Sequence, residues 1–552
     1  MEDDIKCRKK RIREVFAVRY RVPDYQRPYV WESEQVDALL NDTLEAFQEK
    51  PDSSFFLGST VLKTVSEREF EILDGQQRLT TLFLIFAVIR DISDNNKLIE
   101  KCRQAVFQEK DDFDKKPESL RIIFDIRDDV KNFVEEHIKP NKSTKDLKAF
   151  EKIIAKKNND VSVRNMSAAV IVARKCLSKL SSDDLSGYFK FLWNNVVIVC
   201  ISTEEFEDAL QLFTVLNNRG LKLRNSDILK AINLRIVKNP EDKDRYSRNW
   251  QGMENYFGDR IDEFLSYVYT ILVGQKSKGT LLKGFENHIY KNKLLEKGSV
   301  TFNCIHSMFK SYVDMFETED KNCVISNYLN LMKNGLQADY WITAALSFYK
   351  KFGSEKFGQF MKLLDKKVSA DWICSVSPTK RIENIHSIIK SISGAQSVDE
   401  VFSSNVFSIY FDELSRMLNS NVYGKRYDKY LMLKLELLYR GNGAPFQIGQ
   451  RISIEHILPQ NPAQDSQWLK DFSDDEREEW LDKLGNLVMI TRRKNILLGN
   501  PDYEEKRKRY FEKDAEHFTH LYHIYKTYEK WTLVELKQNH EVVVHKLLDA
   551  YK

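Results

Sequence analysis

A buried helix that directly follows a tight turn organises the first part of the sequence. Phe70-Glu71-Ile72-Leu73 is typical of a buried strand, and Asp74-Gly75 follows it as a sharp turn. Behind the turn, apolar residues recur at helical spacing and predict a helix that begins near Gln76: Leu79, Leu82, Phe83, Phe86 and Ile89. A helix with so little polar surface has to be enclosed by other elements. This succession of strand, turn and helix therefore predicts a domain that combines sheet and helix.

The rest of the chain predicts a helix-rich α+β fold. Phe55 to Val65 and Asn195 to Ile201 are typical of buried strands, and the second is the clearest central strand of the sequence. From 226 to about 440 helical periodicity dominates, and the Gly- and Pro-containing segment 440–445 interrupts it. We therefore expect a small mixed sheet with helices, a helical middle, and a compact C-terminal segment of short strands and helices.

Composition excludes two broad classes of protein and leaves the function open. Hydrophobic residues make up 42% of the 552 residues and aromatic residues 12%, far too many for a disordered chain. The longest apolar run, Leu82 to Ile89, is much shorter than the roughly 18 residues of a membrane span, so we expect no membrane association. No secretory signal and no C-x-x-C pair are present, which predicts a cytoplasmic protein. The 86 basic residues nearly balance the 82 acidic ones, so any nucleic-acid surface depends on local clustering.

The turn before the buried helix has the residues of an anion site. A helix N-terminus presents unpaired N–H groups and the positive end of the helix dipole. Gly75 allows close backbone approach, and Arg78 offers a bidentate fork for phosphate oxygens. Asp74 suits a metal ion, a ribose hydroxyl or an attacking water, whereas Gln76 and Gln77 can orient water but are not strong bases. The simpler alternative makes Asp74 a helix cap and Arg78 a surface ion-pair partner.

Three further segments strengthen the first interpretation. They are Tyr25–Trp31, Phe56-Leu57-Gly58 and Leu216–Gly220. With the Asp74–Thr81 turn, they resemble the N-terminal module of GmrSD-type restriction endonucleases, which is related to the ParB/sulfiredoxin fold and binds and hydrolyses nucleoside triphosphates. The resemblance implies that Asp74 and Arg78 act in catalysis. It also implies a set of nucleotide-binding residues: Gln26, Arg27, Gly75, Gln76, Gln77, Arg78, Asn217 and Arg219.

A second motif lies near the C terminus. Glu455-His456-Ile457-Leu458-Pro459 is followed by Leu484-Gly485-Asn486 and then by Asn495, an order that resembles an HNH, or ββα-metal, nuclease. In such a site a neutral imidazole accepts a proton from the attacking water, and a hard divalent ion is held by oxygen ligands. The resemblance implies His456 as general base, Asn486 as structural support, and Glu455 and Asn495 as metal ligands. Many members have His as the final ligand, where this chain has Asn.

Taken together, the two resemblances imply three domains. Residues 10–240 would form the ParB-like nucleotide module, 241–440 a helical middle without a recognised motif, and 446–552 an HNH nuclease domain embedded in helices.

Several charged clusters admit more than one role. Two of them are expected to grip phosphates beside the nuclease site: Arg492, Arg493 and Lys494, and Lys506 and Arg507. The basic run 6–13 predicts either a contact with DNA or a solvated flexible end. His517, His520 and His523 share one helical face, for which packing is favoured over metal binding.

The resemblances imply an enzyme with two hydrolytic activities. We expect an NTP-regulated, Mg-dependent DNA endonuclease with NTPase activity that defends against foreign, modified phage DNA. Its cofactors would be Mg or Mn and a nucleoside triphosphate of unspecified base. Its partner would be nucleic acid, with double-stranded DNA as the first expectation, and a homo-oligomer stays open. The alternatives are a nucleotide-switched DNA-binding protein with a silent nuclease site, and a nuclease that cleaves RNA or tRNA in abortive defence.

Overall fold

A computed structural model describes most of the chain. The described residues are 5–23, 26, 28–110, 118–124, 128–156, 160–205, 224–276, 279–317, 323–441, 445, 452–491, 501–512 and 518–552. They fall into two compact units, Met1–Asp262 with Leu295–Phe302, and Glu263–Leu294 with Asn303–Lys552. Several predicted site residues lie outside the described residues: Arg27, Asn217, Arg219, Arg492, Arg493, Lys494 and Asn495.

The first unit is built on a six-stranded mixed sheet with the strand order β1-β8-β3-β4-β2-β7. Strands β1 and β4 run antiparallel to their neighbours β8 and β3, whereas the β8–β3, β4–β2 and β2–β7 pairs are parallel. A separate two-stranded hairpin consists of β5 and β6. The strands are Lys6–Arg11 (β1), Arg19–Val22 (β2), Phe55–Ser66 (β3), Glu69–Asp74 (β4), Phe107–Gln108 (β5), Ser119–Leu120 (β6), Ile122–Phe124 (β7) and Val196–Thr203 (β8).

Helices enclose this sheet, and the predicted buried helix is confirmed as its centre. Helix Gln76–Ile92 is buried along most of its length, and its apolar side chains belong to one core with those of the sheet and the surrounding helices. The helices of this part of the chain are Ile12–Val15 (α1), Ser33–Glu49 (α2), Gln76–Ile92 (α3), Asn96–Val106 (α4), Asp128–His137 (α5), Leu147–Ala155 (α6), Val161–Leu177 (α7), Ser182–Asn194 (α8), Asn225–Ile236 (α9) and Pro240–Phe257 (α10).

A buried ion pair closes the end of α3. Arg90 donates to the Asp91 carboxylate, with a distance of 2.7 Å from Nε to Oδ1. Both side chains are almost fully buried, and the remaining guanidinium N–H groups donate to the carbonyls of Ile138, Lys139 and Pro140. Burying charge is tolerated only where all such groups find partners. The pair therefore fixes the backbone that follows α5 against the central helix.

The second unit is mostly helical. Helices α11 and α13 each cross the boundary between the units, and a π-helix, Phe285–Tyr290, follows α12. The remaining helices before the second strand pair are Ile261–Val273 (α11), Leu281–Gly284 (α12), Ser299–Glu317 (α13), Val324–Gly335 (α14), Trp341–Phe352 (α15), Phe357–Ile373 (α16), Pro378–Gly394 (α17), Val398–Phe402 (α18), Phe411–Leu418 (α19) and Asp428–Arg440 (α20).

The C-terminal part of the second unit contains one antiparallel strand pair within helices. Strand β9 (Ile452–His456) pairs with β10 (Leu487–Thr491), so that His456 lies opposite Leu487. Apolar side chains from this pair and the helices around it form a separate core. Those helices are Trp468–Asp471 (α21), Asp474–Trp480 (α22), Tyr503–Glu512 (α23), Thr519–Thr527 (α24) and Leu533–Ala550 (α25), with a 3₁₀ turn at Leu484–Asn486. The predicted helix-rich α+β class is thus confirmed.

Candidate active site

His456 is the last residue of β9 and is enclosed by its surroundings. Its side chain is 7% exposed, and the Tyr423 ring lies against the imidazole with 4.3 Å between the ring centroids. Its Nε2 atom lies 3.1 Å from Oδ1 of Asp482. An ionised carboxylate only accepts hydrogen bonds, so Nε2 is the donor and the lone pair is on Nδ1. The geometry therefore fixes one nitrogen of His456 as the atom able to accept a proton.

The protonation of His456 follows from its burial. Desolvation lowers the pKa of His456 from its ordinary value, because burial penalises the charged imidazolium. The hydrogen bond to Asp482 and the charge of that carboxylate act in the opposite direction without cancelling the effect. The neutral ring is thus favoured at neutral pH, as a general base requires.

Asp482 is held in place by its backbone. Its carbonyl accepts hydrogen bonds from the amides of Val422 and Tyr423, at 2.8 and 3.2 Å, and Asn421 forms an isolated β-bridge with Lys483. The segment that follows α19 therefore supplies both the ring that covers His456 and the contacts that position its carboxylate partner. Neither Asp482 nor Tyr423 is predicted from the sequence, because no spacing relative to His456 marks them.

Asn486 connects the two sides of the site. Its Oδ1 accepts from the amide of Leu458 at 2.7 Å, and its Nδ2 donates to the carbonyls of Leu458 and Leu481 at 3.1 and 2.9 Å. The side chain is fully buried, and its backbone carbonyl accepts from the amide of Ile457. Because every polar atom of this amide is used, Asn486 holds the turn that follows His456 in one conformation.

Glu455 is paired with a buried lysine. Nζ of Lys506, on α23, lies 3.2 Å from Oε1 of Glu455 and also donates to the carbonyls of His456 and Ile457, at 3.0 and 3.1 Å. The Lys506 side chain is only 1% exposed. The sequence predicts a DNA contact for Lys506, but the structure buries its ammonium, which binds the backbone carbonyls of His456 and Ile457. A positive charge in a helix sequence cannot by itself reveal which face is buried.

The donors around Glu455 suit a hard divalent ion in part. Glu455 offers a carboxylate beside His456, and its Oε2 atom has no hydrogen-bond donor among the residues that the structure describes. Within those residues no group of three or more His, Cys, Asp and Glu side chains is placed to hold a metal. The second predicted ligand, Asn495, lies outside them. Carboxylate and amide oxygens are ligands that Mg²⁺ accepts, so the chemical types fit.

The C-terminal helix α25 packs against the turn that contains Asn486. The amide of Gly485 donates to Nδ1 of His540 at 3.1 Å, and the Asn539 side chain donates to the Gly485 carbonyl at 2.7 Å. An added Cβ on Gly485 would lie 2.5 to 2.8 Å from atoms of His540. The Leu484–Asn486 turn therefore packs directly on α25, with no room for a side chain at its centre.

Arg507 and His520 contact residues of nearby helices. Arg507 Nε donates to the carbonyl of Tyr525 at 2.7 Å. His520 is buried and stacks on Tyr439, with 4.7 Å between the ring centroids, so the expected packing of this helix is confirmed for His520. Burial lowers the pKa of His520 to about 3, and His517 lies outside the described residues.

In the first unit, the Gln77 side chain forms hydrogen bonds with the backbone of residues that precede α2. Its Oε1 accepts from the amides of Val30 and Trp31, at 2.8 and 3.1 Å, and its Nε2 donates to the carbonyl of Pro28 at 3.1 Å. Gln26 reaches the same region, donating from Nε2 to the carbonyl of Leu73 at 2.9 Å. Gln26 and the stretch 28–31 are thus neighbours of the Asp74–Thr81 turn in space.

Arg78 and Gly58 form a tight pair. Arg78 donates to the carbonyls of Ser59 and Leu57, at 2.6 and 3.3 Å, and its Nη2 lies 3.6 Å from an Asp74 carboxylate oxygen. Gly58 has φ of +126°, and a Cβ there would lie 1.8 Å from Arg78 Nη1. The guanidinium therefore lies across the strand at its glycine, and a phosphate would meet a charge that is already oriented by backbone carbonyls.

The turn itself leaves buried polar groups unused. Gly75 has φ of +92°, and a Cβ there would lie 2.7 Å from Thr60 Oγ1. Oε1 of Gln76 and Oγ1 of Thr80 are buried and have no hydrogen-bond partner in the described part of the chain. Unsatisfied buried oxygens are uncommon in folded proteins. They are the observation that fits a ligand at this turn.

Comparisons with known proteins identify two family models along the chain. The family model of the GmrSD restriction endonuclease N-terminal domain matches residues 6–234, and that of the GmrSD restriction endonuclease C-terminal domain matches residues 409–545. The second match begins ahead of the segment that holds Asp482. No curated protein matches the chain. In the part of the chain that the structure describes, no helix is both long and apolar enough to span a membrane. The chain belongs to the GmrSD family of restriction endonucleases.

Proposed function

We propose that this restriction endonuclease hydrolyses double-stranded DNA at the His456 site, with a divalent metal ion, under control of a nucleoside triphosphate bound at the Asp74–Thr81 turn. The defence role that a restriction endonuclease implies extends here to foreign phage DNA with modified bases. The arrangement around His456 is the observation that carries the proposal. It combines a buried neutral imidazole, a carboxylate that orients it and a neighbouring Glu455.

The protein's own groups account for the proton transfer. Nδ1 of His456 accepts a proton from the attacking water, and Asp482 stabilises the imidazolium that results. Lys506 donates to the His456 carbonyl and Asn486 holds the turn that follows it, so the imidazole need not reorganise during the reaction. Glu455 and Asn495 would hold a divalent ion, which when bound stabilises the charge that develops on the phosphate.

The nucleotide role rests on separate observations. Gln26 and Gln77 hydrogen-bond across the contact between the turn and the residues that precede α2, and Arg78 lies across the strand at Gly58. The buried oxygens of Gln76 and Thr80 have no partner in the described part of the chain. Arg78 supplies a charge fixed beside Asp74. Arg27, Asn217 and Arg219 are proposed members of the same pocket by resemblance. This set suits the binding of phosphate oxygens and the orientation of water.

The test is a cleavage panel with unmodified DNA, modified phage DNA and structured RNA, each with Mg²⁺ and with or without each nucleoside triphosphate. We expect cleavage of DNA by the wild type and a loss of about 10²- to 10⁴-fold in His456→Ala, the usual contribution of a general base. Equal cleavage by His456→Ala would overturn the site. Cleavage of RNA alone would replace DNA as the substrate.

Two further variants separate nucleotide hydrolysis from nuclease chemistry. Arg78→Ala and Asp74→Ala should abolish phosphate release from nucleoside triphosphates, and unchanged release in both would remove the pocket from the proposal. Glu455→Ala should lose divalent-ion binding. Ion binding that persists in wild type without cleavage of any substrate would favour the DNA-binding protein with a silent nuclease site.

A further inference from the structure

The basic run near the N terminus forms an ordered edge strand. Five of the six residues of β1, Lys-Cys-Arg-Lys-Lys-Arg, are basic. They pair antiparallel with β8 along their whole length, from Lys6 opposite Ser202 to Arg11 opposite Val197. The alternative of a flexible end is therefore wrong for these residues. In the described sheet, β1 has a neighbour on one side only.

The charges of β1 are exposed and largely uncompensated. Lys6, Arg8, Lys9 and Arg11 are exposed, whereas Lys10 is half-buried and its Nζ lies 5.5 Å from the centroid of the Phe70 ring. Lys6, Arg8 and Lys9 form no ion pair with any residue that the structure describes. Because the pairing with β8 fixes the backbone, these cations are held in a row rather than dispersed in solution.

The spacing of this row matches a nucleic-acid backbone. A β-strand advances about 3.4 Å per residue. One strand of duplex DNA carries one phosphate per about 3.4 Å of helix axis. Because successive side chains of a strand point to opposite faces, the cations on one face of β1 recur about every 6.8 Å, which is the spacing of every second phosphate of one DNA strand. The amides of an open strand edge are additional donors to phosphate oxygens.

We propose that β1 is a docking strand for the phosphate backbone of duplex DNA, bound without regard to sequence. The proposal rests on the proposed function in taking duplex DNA as the substrate. It adds a second contact surface, in the unit that contains the nucleotide turn. Charged side chains on a strand edge also prevent edge-to-edge pairing of protein chains. That protective role predicts no effect on DNA affinity, so one experiment distinguishes the two.

The experiment measures binding of the full-length chain to a short unmodified DNA duplex over a range of salt concentrations. All variants carry His456→Ala to prevent cleavage. Each cation that neutralises a phosphate contributes about 0.9 to the slope of log K against log salt. The triple variant Lys6→Gln, Arg8→Gln, Lys9→Gln should therefore reduce the slope by about 2 to 3 and weaken binding by about 10-fold or more at low salt.

A matched variant removes the same charge elsewhere in the same unit. Lys97→Gln, Lys101→Gln and Lys175→Gln replace three exposed lysines on helices α4 and α7 and should leave the slope unchanged. Replacement of Lys6 and Lys9 by Arg should retain the wild-type slope. Circular dichroism of each variant shows whether the fold is kept.

The outcomes separate this proposal from the proposed function. If the triple β1 variant and the matched variant have equal slopes while His456-containing enzyme still cuts DNA, the docking strand is refuted and the nuclease assignment stands. If the chain with His456→Ala binds no duplex DNA at any salt concentration, both fail. A reduced slope for single-stranded RNA alone would also refute the docking of duplex DNA.

Discussion

At the scale of single residues, the contact between His456 and Asp482 determines how the imidazole works. The carboxylate selects the tautomer with the lone pair on Nδ1 and favours the charged ring, whereas burial favours the neutral one. Burial dominates, so the pKa of His456 is below its ordinary value. Asp482 thus orients the ring and partly offsets the effect of burial on the pKa of His456.

The Asp482→Asn variant tests both effects of this carboxylate. Loss of the carboxylate removes an interaction that favours imidazolium, so the pKa of His456 should fall further and the acid limb of the pH–rate profile should move to lower pH. The orientation of the ring is also weakened, and the maximal cleavage rate should drop by about 10- to 100-fold, as for other supporting partners. A profile of cleavage rate against pH measures both. An unchanged acid limb would contradict the role assigned to Asp482.

Lys506 is a second residue whose role depends on burial. Lys506→Met should leave Glu455 and two carbonyls without their donor, at a cost of about 2 to 4 kcal/mol in the free energy of unfolding. Urea unfolding measures this cost. Lys508→Met, on the exposed face of the same helix, should change stability by only about 0.5 kcal/mol. Equal effects of the two substitutions would show that the Lys506 clamp contributes nothing.

At the scale of elements, the Leu484–Asn486 turn packs against α25, so the position of this helix determines where Asn486 lies. Gly485→Ala should force the turn away from His540, because the added Cβ would lie within 2.8 Å of backbone atoms of α25. We expect about 1 to 3 kcal/mol of destabilisation, as for other overpacked sites. We also expect a loss of cleavage, because Asn486 moves with the turn. Unfolding and cleavage assays on one preparation measure both.

The control for Gly485→Ala is Gly394→Ala, at the exposed end of α17, where an added Cβ meets nothing within 4 Å. It should leave cleavage unchanged and alter stability by no more than about 1 kcal/mol. A loss of cleavage in both variants would mean that cleavage responds to any glycine replacement and not to the packing of the turn.

The elements that the sequence predicts best are those defined by a repeating pattern. Helix α3 and strand β8 follow from periodicity because each is buried against one core. The pairing of Glu455 with Lys506 could not be predicted, since it depends on how α23 packs against β9. The role of Asp482 could not be predicted for the same reason, because its position depends on the 421–423 segment. Motifs indicate reacting groups, whereas the groups that support them come from tertiary packing.

At the scale of the whole molecule, histidines are distributed unevenly between the two units. The second unit contains nine of the ten His residues, whereas His137 lies in the first. Burial lowers the pKa of His520 to about 3 and that of His540 to about 4. These folded-state values are below the unfolded value of about 6.5, so the unfolded chain binds more protons as pH falls. Stability is therefore lost as pH decreases below about 6.5.

Acidification should thus loosen the second unit before the first. Between pH 7 and pH 5, His520 and His540 together account for about 3 to 4 kcal/mol of lost stability. Hydrogen exchange resolved by peptide should show faster opening of the second unit at pH 5. His540→Gln should reduce this pH dependence by about half. Equal acceleration in both units would contradict the assignment to these histidines.

The connection between the two strands of the His456 pair can vary in length. Strands β9 and β10 are hairpin partners, yet helices α21 and α22 lie between them in the chain. Asn486 joins the two ends of this connection, and the 460–465 stretch near its start is mostly exposed. Doubling the length of a flexible loop costs only about 0.6 kcal/mol. We therefore expect that insertions in relatives, or a peptide tag, at 460–465 leave the His456 imidazole in place.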